Sequence, residues 1–285
     1  IIFLSVIGLS VFWGVSQGLM AVFPSFAKEY LGVTDVFVIN AVIGASGIGI
    51  AIGSLIYSKI SKHYIEIGTI PFSALGMALM IYVSTIVQTP FLLGMSFLVF
   101  GIFGGLFVVP LNALIQFNAK KKVLGTILAG NNWFHSLAMF LMLALTTTVS
   151  FYDLDPLNTL YLILLITVIG TSYTIYKLPQ SLILLFLKRI VGLKYQLEAN
   201  GVRNIPSSGG VLLLGNHSSW IDWAVVLMAT PREVRFVMHK PIYEKWYLTW
   251  LLKIFKCIPI SNGSSKNTII TIAKELDAGN VVVVF

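Results

Sequence analysis

The sequence predicts two parts in one chain: a bundle of six transmembrane α-helices over residues 1–178, followed by an α/β domain over residues 179–285. Three observations carry this expectation. The 285 residues are 57% hydrophobic and 11% charged, with a mean hydropathy of +0.89, whereas soluble domains carry about 25% charged residues. The apolar residues of the first part fall into six long runs. The charge is unevenly divided: residues 1–178 hold seven lysines, no arginine and five acids, and residues 179–285 hold twelve bases against six acids. Most of the net charge of +8 therefore lies in the second part. Such a composition excludes a soluble protein, a disordered chain and a disulfide scaffold. The one cysteine, Cys257, cannot form an internal disulfide.

The six runs cover 1–26, 36–57, 67–87, 91–117, 123–151 and 157–176. Each reaches the ~20 residues that a helix needs to cross a bilayer. Helices are required there because lipid offers no partner to a free backbone group. The loops orient them. The first carries Lys28 against Glu29 and Asp35, the second Lys59, Lys62 and His63 with Glu66, and the third, Gln88-Thr89-Pro90, no charge. The fourth contains Lys120-Lys121-Lys122, and the fifth Asp153 and Asp155 without a base. After the sixth run come Lys177, Lys188 and Arg189. Basic loops alternate with non-basic ones, as the positive-inside rule requires. The second and fourth loops, and everything after Tyr176, are expected on the cytoplasmic side of a multi-pass membrane protein.

Small residues recur in these helices. Gly44, Gly47, Gly49 and Gly53, and later Gly101, Gly104 and Gly105, fit close helix packing; no strand precedes them to make a dinucleotide loop. Polar residues at membrane depth form a second pattern. Asn112 and Gln116 lie one turn apart, and Asn131, Asn132 and His135 cluster early in the fifth helix. Polar groups inside a bundle mark either a substrate path or ordinary interhelical hydrogen bonds, and both readings stand for these five.

The segment Gly53-Ser54-Leu55-Ile56-Tyr57-Ser58-Lys59 resembles the G-x-L-x-D-x-[RK] loop of major facilitator transporters, with Tyr57 in place of the usual Asp. Six helices with a basic loop after the second are similar to the C-terminal half of that fold. The resemblance implies a preceding N-terminal half. Phe12-Trp13-Gly14 and Tyr30-Leu31-Gly32 resemble the corresponding runs of bacterial lysophospholipid flippases. The chain opens inside an apolar run and stops just after Val281-Val282-Val283-Val284, and it reads as an internal piece of a longer protein.

From Leu182 the pattern changes. An interfacial helix over 182–189 is expected to lead into a strand near Tyr195-Gln196-Leu197-Glu198 and a turn at Asn200-Gly201. A loop follows over 205–210. Val211-Leu212-Leu213-Leu214 is a buried-strand candidate, and it runs into Gly215-Asn216-His217-Ser218-Ser219-Trp220-Ile221-Asp222. Polar clusters at the ends of apolar strands are where open α/β sheets place their sites. An imidazole acting as a base needs a partner that fixes its tautomer and stabilises its charged form, and a carboxylate does both. On a continuous helix, His217 and Asp222 would lie on different faces. On a strand-to-helix turn they meet, with Asp222 opening the helix. The same spacing also suits a turn histidine beside a helix cap. Between 243 and 257, Trp246, Tyr247 and Trp250 alternate with Lys245, Lys253 and Lys256. This fits a helix at a membrane surface or one packed on the sheet. The scattered bases carry no nucleic-acid recognition motif.

Asn216-His217-Ser218-Ser219-Trp220-Ile221-Asp222-Trp223 closely resembles the N-H-x-S-x-x-D block of glycerophospholipid acyltransferases. The downstream order is similar too: Phe236-Val237-Met238-His239-Lys240, then Cys257-Ile258-Pro259-Ile260-Ser261-Asn262, then Leu276-Asp277-Ala278-Gly279-Asn280-Val281-Val282. The resemblance implies that His217 is the general base and Asp222 its partner. Asn216 and Ser219 of that block are expected at the acceptor, where Ser261 and Asn262 would supply neutral donors and the nearby Lys266 one mobile cation. The resemblance implies no metal or bound cofactor, and an acyl-carrier-protein or coenzyme A thioester as co-substrate. Asn262 stands where the family usually has an Arg for the acceptor's phosphate. It fits either a diester acceptor with weaker demands or a plain turn cap before Gly263. The family's third motif, Pro-Glu-Gly, would follow Phe285.

Taken together, the arrangement resembles the bacterial family in which a lysophospholipid transporter is fused to a 2-acylglycerophosphoethanolamine acyltransferase. That resemblance implies transport of a lysolipid to the inner leaflet and its re-acylation there. Two alternatives are a membrane-anchored 1-acylglycerol-3-phosphate acyltransferase and a transporter whose second domain is catalytically silent.

Overall fold

A computed structural model of the chain describes every residue except Lys62, His63, Leu154, Pro231 and 261–264. It divides into two units, Ile1–Leu182 and Ile183–Phe285.

The first unit is built from α1 (Ile2–Leu31), α2 (Val36–Ile60), α3 (Thr69–Ile86), α4 (Pro90–Asn118), α5 (Leu124–Phe151) and α6 (Pro156–Lys177). All six, among the described residues, are long and apolar enough to cross a membrane. Local chemistry sets their ends. The Asp35 carboxylate accepts from Phe37 N–H to start α2, and Thr89 with Pro90 starts α4. Asp155 with Pro156 starts α6, where the carboxylate accepts from Leu157 N–H and from the Tyr30 hydroxyl at the end of α1. The first helix runs past the apolar stretch expected to end at residue 26. Nothing breaks it until Gly32, whose φ of 63° ends the helix in a left-handed turn.

The packing shows how successive helices run. A β-carbon at Gly49 would lie 2.1 Å from the Leu98 carbonyl oxygen, and one at Gly53 2.1 Å from that of Ile102. From the other side, Gly101 meets the Ser46 carbonyl and Gly105 that of Ile50. So α2 and α4 lie parallel, backbone against backbone, as small-residue interfaces allow. Gly104 makes room for the Phe12 ring, whereas Gly44 and Gly47 face open space. Gly14 meets Ala138 and Gly18 meets Met142, so α1 and α5 are also parallel. By contrast α1 and α4 are antiparallel, because Gly8 meets Leu111 while the Phe23 ring lies 4.9 Å from that of Phe97. Alternating direction is what consecutive membrane crossings demand. Exposed aromatics gather near helix ends, among them Tyr30, Phe37, Phe91, Phe117, Tyr152 and Tyr176, where an interfacial belt would sit.

The division between units falls within α7 (Pro179–Lys194). The strand expected near 195–198 is absent: residues 195–200 are exposed and irregular, and Gly201 at φ 77° turns the chain into a short 3-10 turn, Val202–Asn204. With no neighbouring strand to share its hydrogen bonds, an extended segment forms no ladder. Then come β1 (Val211–Leu214), α8 (Asp222–Ala229), β2 (Val234–His239), α9 (Lys240–Tyr243), α10 (Trp246–Ile254), β3 (Ile258–Ile260), α11 (Ser265–Asp277) and β4 (Val281–Val284). Among the described residues the four strands form one sheet in the order β1-β4-β2-β3, every pair parallel. Val281, Val282 and Val283 are fully buried at its centre, with Phe236, Leu227, Leu252 and Phe255 packed around them. Near the starts of the strands, the Arg232 guanidinium donates to the carbonyls of Pro206, Gly209 and Gly279. Arg235, buried in β2, pairs with Glu233 at 3.1 Å and Glu275 at 3.7 Å. Of the two expectations for 243–257, packing on the sheet is what the structure shows for one face. Leu252 and Phe255 pack into the core, while Trp246 and Trp250 stand exposed on the opposite face of α10.

Candidate functional site

In a parallel sheet all strands end on the same edge, and the chemistry collects there. Gly215 N–H donates to the Val284 carbonyl at 2.9 Å, closing the β1–β4 ladder. The chain then leaves the sheet through Asn216 and His217 beside Phe285, which follows β4. Asp222 is the first residue of α8. Between strand and helix lies a tight turn, and it folds onto one carboxylate oxygen. Oδ2 of Asp222 accepts from Ser218 N–H at 2.8 Å and from Ser219 N–H at 2.8 Å, and lies 2.9 Å from Nδ1 of His217.

The electrostatics follow from this. The Ser219 N–H, the His217 imidazole and the Ser218 N–H, in that order, hold the Asp222 carboxyl below its ordinary value of 3.8. The group is thus an anion throughout the neutral range. A carboxylate on Nδ1 requires that nitrogen to carry the proton, which leaves Nε2 with the lone pair. The His217 side chain is 58% exposed and that of Asp222 17%, so the imidazole is open to a substrate while its partner is covered. This pair can hold a neutral imidazole in one tautomer and stabilise it when it takes up a proton.

The other expected acceptor residues divide. Asn216 lies in the exposed turn, and Ser219 contributes its N–H to Asp222. Lys266 is exposed on the first turn of α11. Ser261 and Asn262 lie outside the described residues. Sequence reasoning missed Phe285, whose ring stacks on the His217 imidazole at 5.2 Å between centroids and 26° between planes. The available signal was Gly215, where a β-carbon would sit 3.1 Å from that ring.

In the helical unit, the five polar residues expected at membrane depth do not form one cluster. Asn131 and His135 are buried one turn apart on α5, with His135 6.5 Å from the Trp13 ring of α1. Asn131 Oδ1 and His135 Nε2 have no hydrogen-bond partner among the described residues. Asn132, next in sequence, faces outward. Asn112 donates to the Val108 carbonyl of its own helix at 3.1 Å, and Gln116 is exposed.

Residues 196–285 match the Acyltransferase family. The chain is also similar to proteins named "Lysophospholipid transporter LplT". That of Photorhabdus laumondii is 29% identical over 150 residues, 51% of this chain and 36% of the relative. That of Serratia proteamaculans is 33% identical over 147 residues, 50% of this chain and 35% of the relative. That of Escherichia coli O157:H7 is 32% identical over 143 residues, 50% of this chain and 36% of the relative. The chain thus spans little more than a third of the length of these relatives. Such matches are too long to fit within the second unit, so they take in the helical one. No solved structure matches the chain. Six membrane-capable helices and a sheet edge carrying the His217–Asp222 pair therefore belong to a chain that has an acyltransferase-family domain over residues 196–285 and is similar over half its length to lysophospholipid transporters.

Proposed function

We propose that this chain is part of a multi-pass protein of the bacterial inner membrane that moves a lysophospholipid and re-acylates it on the cytoplasmic side. One observation carries the enzymatic half: the 2.9 Å contact between His217 Nδ1 and Asp222 Oδ2 at the strand ends, inside the segment that matches the Acyltransferase family. Nε2 of His217 removes the proton from the free glycerol hydroxyl of the lysolipid. The hydroxyl oxygen attacks the carbonyl carbon of an acyl thioester, from acyl carrier protein or coenzyme A. The C–S bond breaks, and the proton passes from the imidazolium to the leaving thiolate. Asp222 stabilises the imidazolium in between.

The transport half rests on the similarity to lysophospholipid transporters and on six membrane-capable helices, which we read as half of a major facilitator fold. Asn131 and His135 are its headgroup contacts, since buried polar groups without partners are expensive in a membrane. The exposed Trp246 and Trp250, one turn apart on α10, with Lys253 following, suit contact with a lipid surface. A headgroup of the diester class fits Asn262, because a phosphomonoester carries about −1.5 to −2 charge and calls for an Arg fork.

The test is made on the full-length protein in proteoliposomes, with lysolipid uptake and acyl transfer measured separately. His217→Ala should lose about 10²–10⁴-fold in acyl transfer and keep uptake. Wild-type transfer in that variant would leave a transporter with a silent domain. A clear preference for lysophosphatidic acid over lysophosphatidylethanolamine would favour a membrane-anchored 1-acylglycerol-3-phosphate acyltransferase instead.

A further inference from the structure

His217 is held in two ways, and they do different things. The Asp222 contact holds one nitrogen at 2.9 Å, in the plane of the imidazole, and touches neither of its faces. With 58% of the side chain exposed, the surroundings give the plane little restraint. The face of the imidazole, however, rests on the ring of Phe285, 5.2 Å away and inclined by 26°. Phe285, 37% exposed, has ring contacts of its own on the sheet side. Its other neighbour is Phe236 of β2, 6.1 Å away and nearly parallel at 12°, and Phe236 is 3% exposed. Along its edge Gly215 leaves the space that a side chain would take, since a β-carbon there would lie 3.1 Å from two ring carbons. A buried ring, a glycine slot and the β1–β4 ladder thus place one aromatic face under the imidazole.

From this we infer that Phe285 is a positioning residue for His217, a role that rests on the acyl-transfer reading above. Its ring fixes the imidazole plane, so that Nε2 stays aimed at the acceptor hydroxyl. It also presents a π-face to the cation that forms when Nε2 takes the proton. The geometry of a base is worth as much as its presence: misplacement by about 1 Å can cost on the order of 10²-fold.

The experiment uses the full-length protein and separates kcat from KM. Phe285→Leu keeps an apolar side chain but removes the face. It should lower kcat about ten- to a hundredfold with KM for lysolipid and thioester unchanged, and Phe285→Tyr, which restores the face, should recover most of that loss. Gly215→Ala, which crowds the ring without deleting it, should lower kcat in the same way. In a His217→Ala background, Phe285→Leu should have no further effect on the residual rate. Wild-type kcat in Phe285→Leu would overturn the inference. So would an equal loss with and without His217, since a purely structural ring would act in both backgrounds. Full turnover in His217→Ala alone would overturn the acyl-transfer reading itself.

Discussion

Replacing Asp222 by asparagine has an outcome that the turn dictates. One oxygen of the carboxylate receives three donors, at 2.8, 2.8 and 2.9 Å. Two are backbone N–H groups, which cannot become acceptors. An asparagine must therefore place its carbonyl oxygen, not its NH2, at that point. The carbonyl still accepts from His217 Nδ1, so the imidazole keeps the tautomer with Nε2 free. Only the negative charge is lost. Hydrogen bonds to an ionised group are roughly twice as strong as neutral ones, and the imidazolium formed during transfer loses its counter-charge. We expect kcat to fall about ten- to a hundredfold in Asp222→Asn. Asp222→Ala, which leaves the tautomer unset and two N–H groups unpaired, should reach about 10²–10⁴-fold. That order differs from a catalytic triad, where the amide selects the wrong tautomer and the rate drops about 10⁴-fold. The assay is initial-rate acyl transfer from a radiolabelled thioester to lysolipid in nanodiscs. An asparagine variant as damaged as the alanine one would refute the reasoning.

Further outcomes follow from other parts of the molecule. The folded Asp222 carboxyl lies below its ordinary value of 3.8, so its contribution is complete above that pH and is lost as pH falls through the lower folded value. Hydrogen exchange over 216–222 should therefore show the turn closed at pH 5, and opening at that pH would contradict the assignment. Burial raises the Cys257 thiol from 9.0 to about 11. Maleimide should thus label it only after unfolding, and this group should lower stability as pH rises above 9, where the unfolded thiol ionises first. A β-carbon at Gly53 would lie 2.1 Å from a carbonyl oxygen, so Gly53→Ala should destabilise the helical unit by about 1–3 kcal/mol in detergent melts. Gly44→Ala, in open space, should leave the melt unchanged. Replacing Asn131 and His135 together should slow lysolipid uptake by the full-length protein and spare acyl transfer in detergent; unchanged uptake would assign the pair to packing.

How far the sequence reached depends on whether a feature is local. The six spans were legible because hydropathy is read along the chain. Their ends were less so, since α1 continues past the run expected to end at residue 26 to the left-handed turn at Gly32. Glycine spacing pointed to helix packing, but it could not tell Gly49 and Gly53, which touch α4, from Gly44 and Gly47, which touch nothing. That choice belongs to the partner helix. The contact between His217 and Asp222 was legible as a strand-to-helix turn, whereas the two N–H groups converging on the same oxygen were not. The stacking of Phe285 on His217 and the reach of Arg232 to Gly279 depend on β4 lying between β1 and β2. No local pattern carries that neighbour order. The misread strand near 195–198 had a plausible local pattern and no neighbour to pair with.

The place of β4 also sets a timetable. Neither β1 nor β2 pairs with the other; both pair with β4, which is the last of the four to leave the ribosome. Until Val281–Val284 has emerged, β1 has no hydrogen-bonding neighbour among the described strands, and the turn that follows it hangs from an unpaired ribbon. Contacts that span so many residues form slowly, and unpaired strand edges invite aggregation meanwhile. The nascent chain would thus thread its helices while β1 and β2 still stand apart, and acquire the His217 platform only when β4 slides in between them.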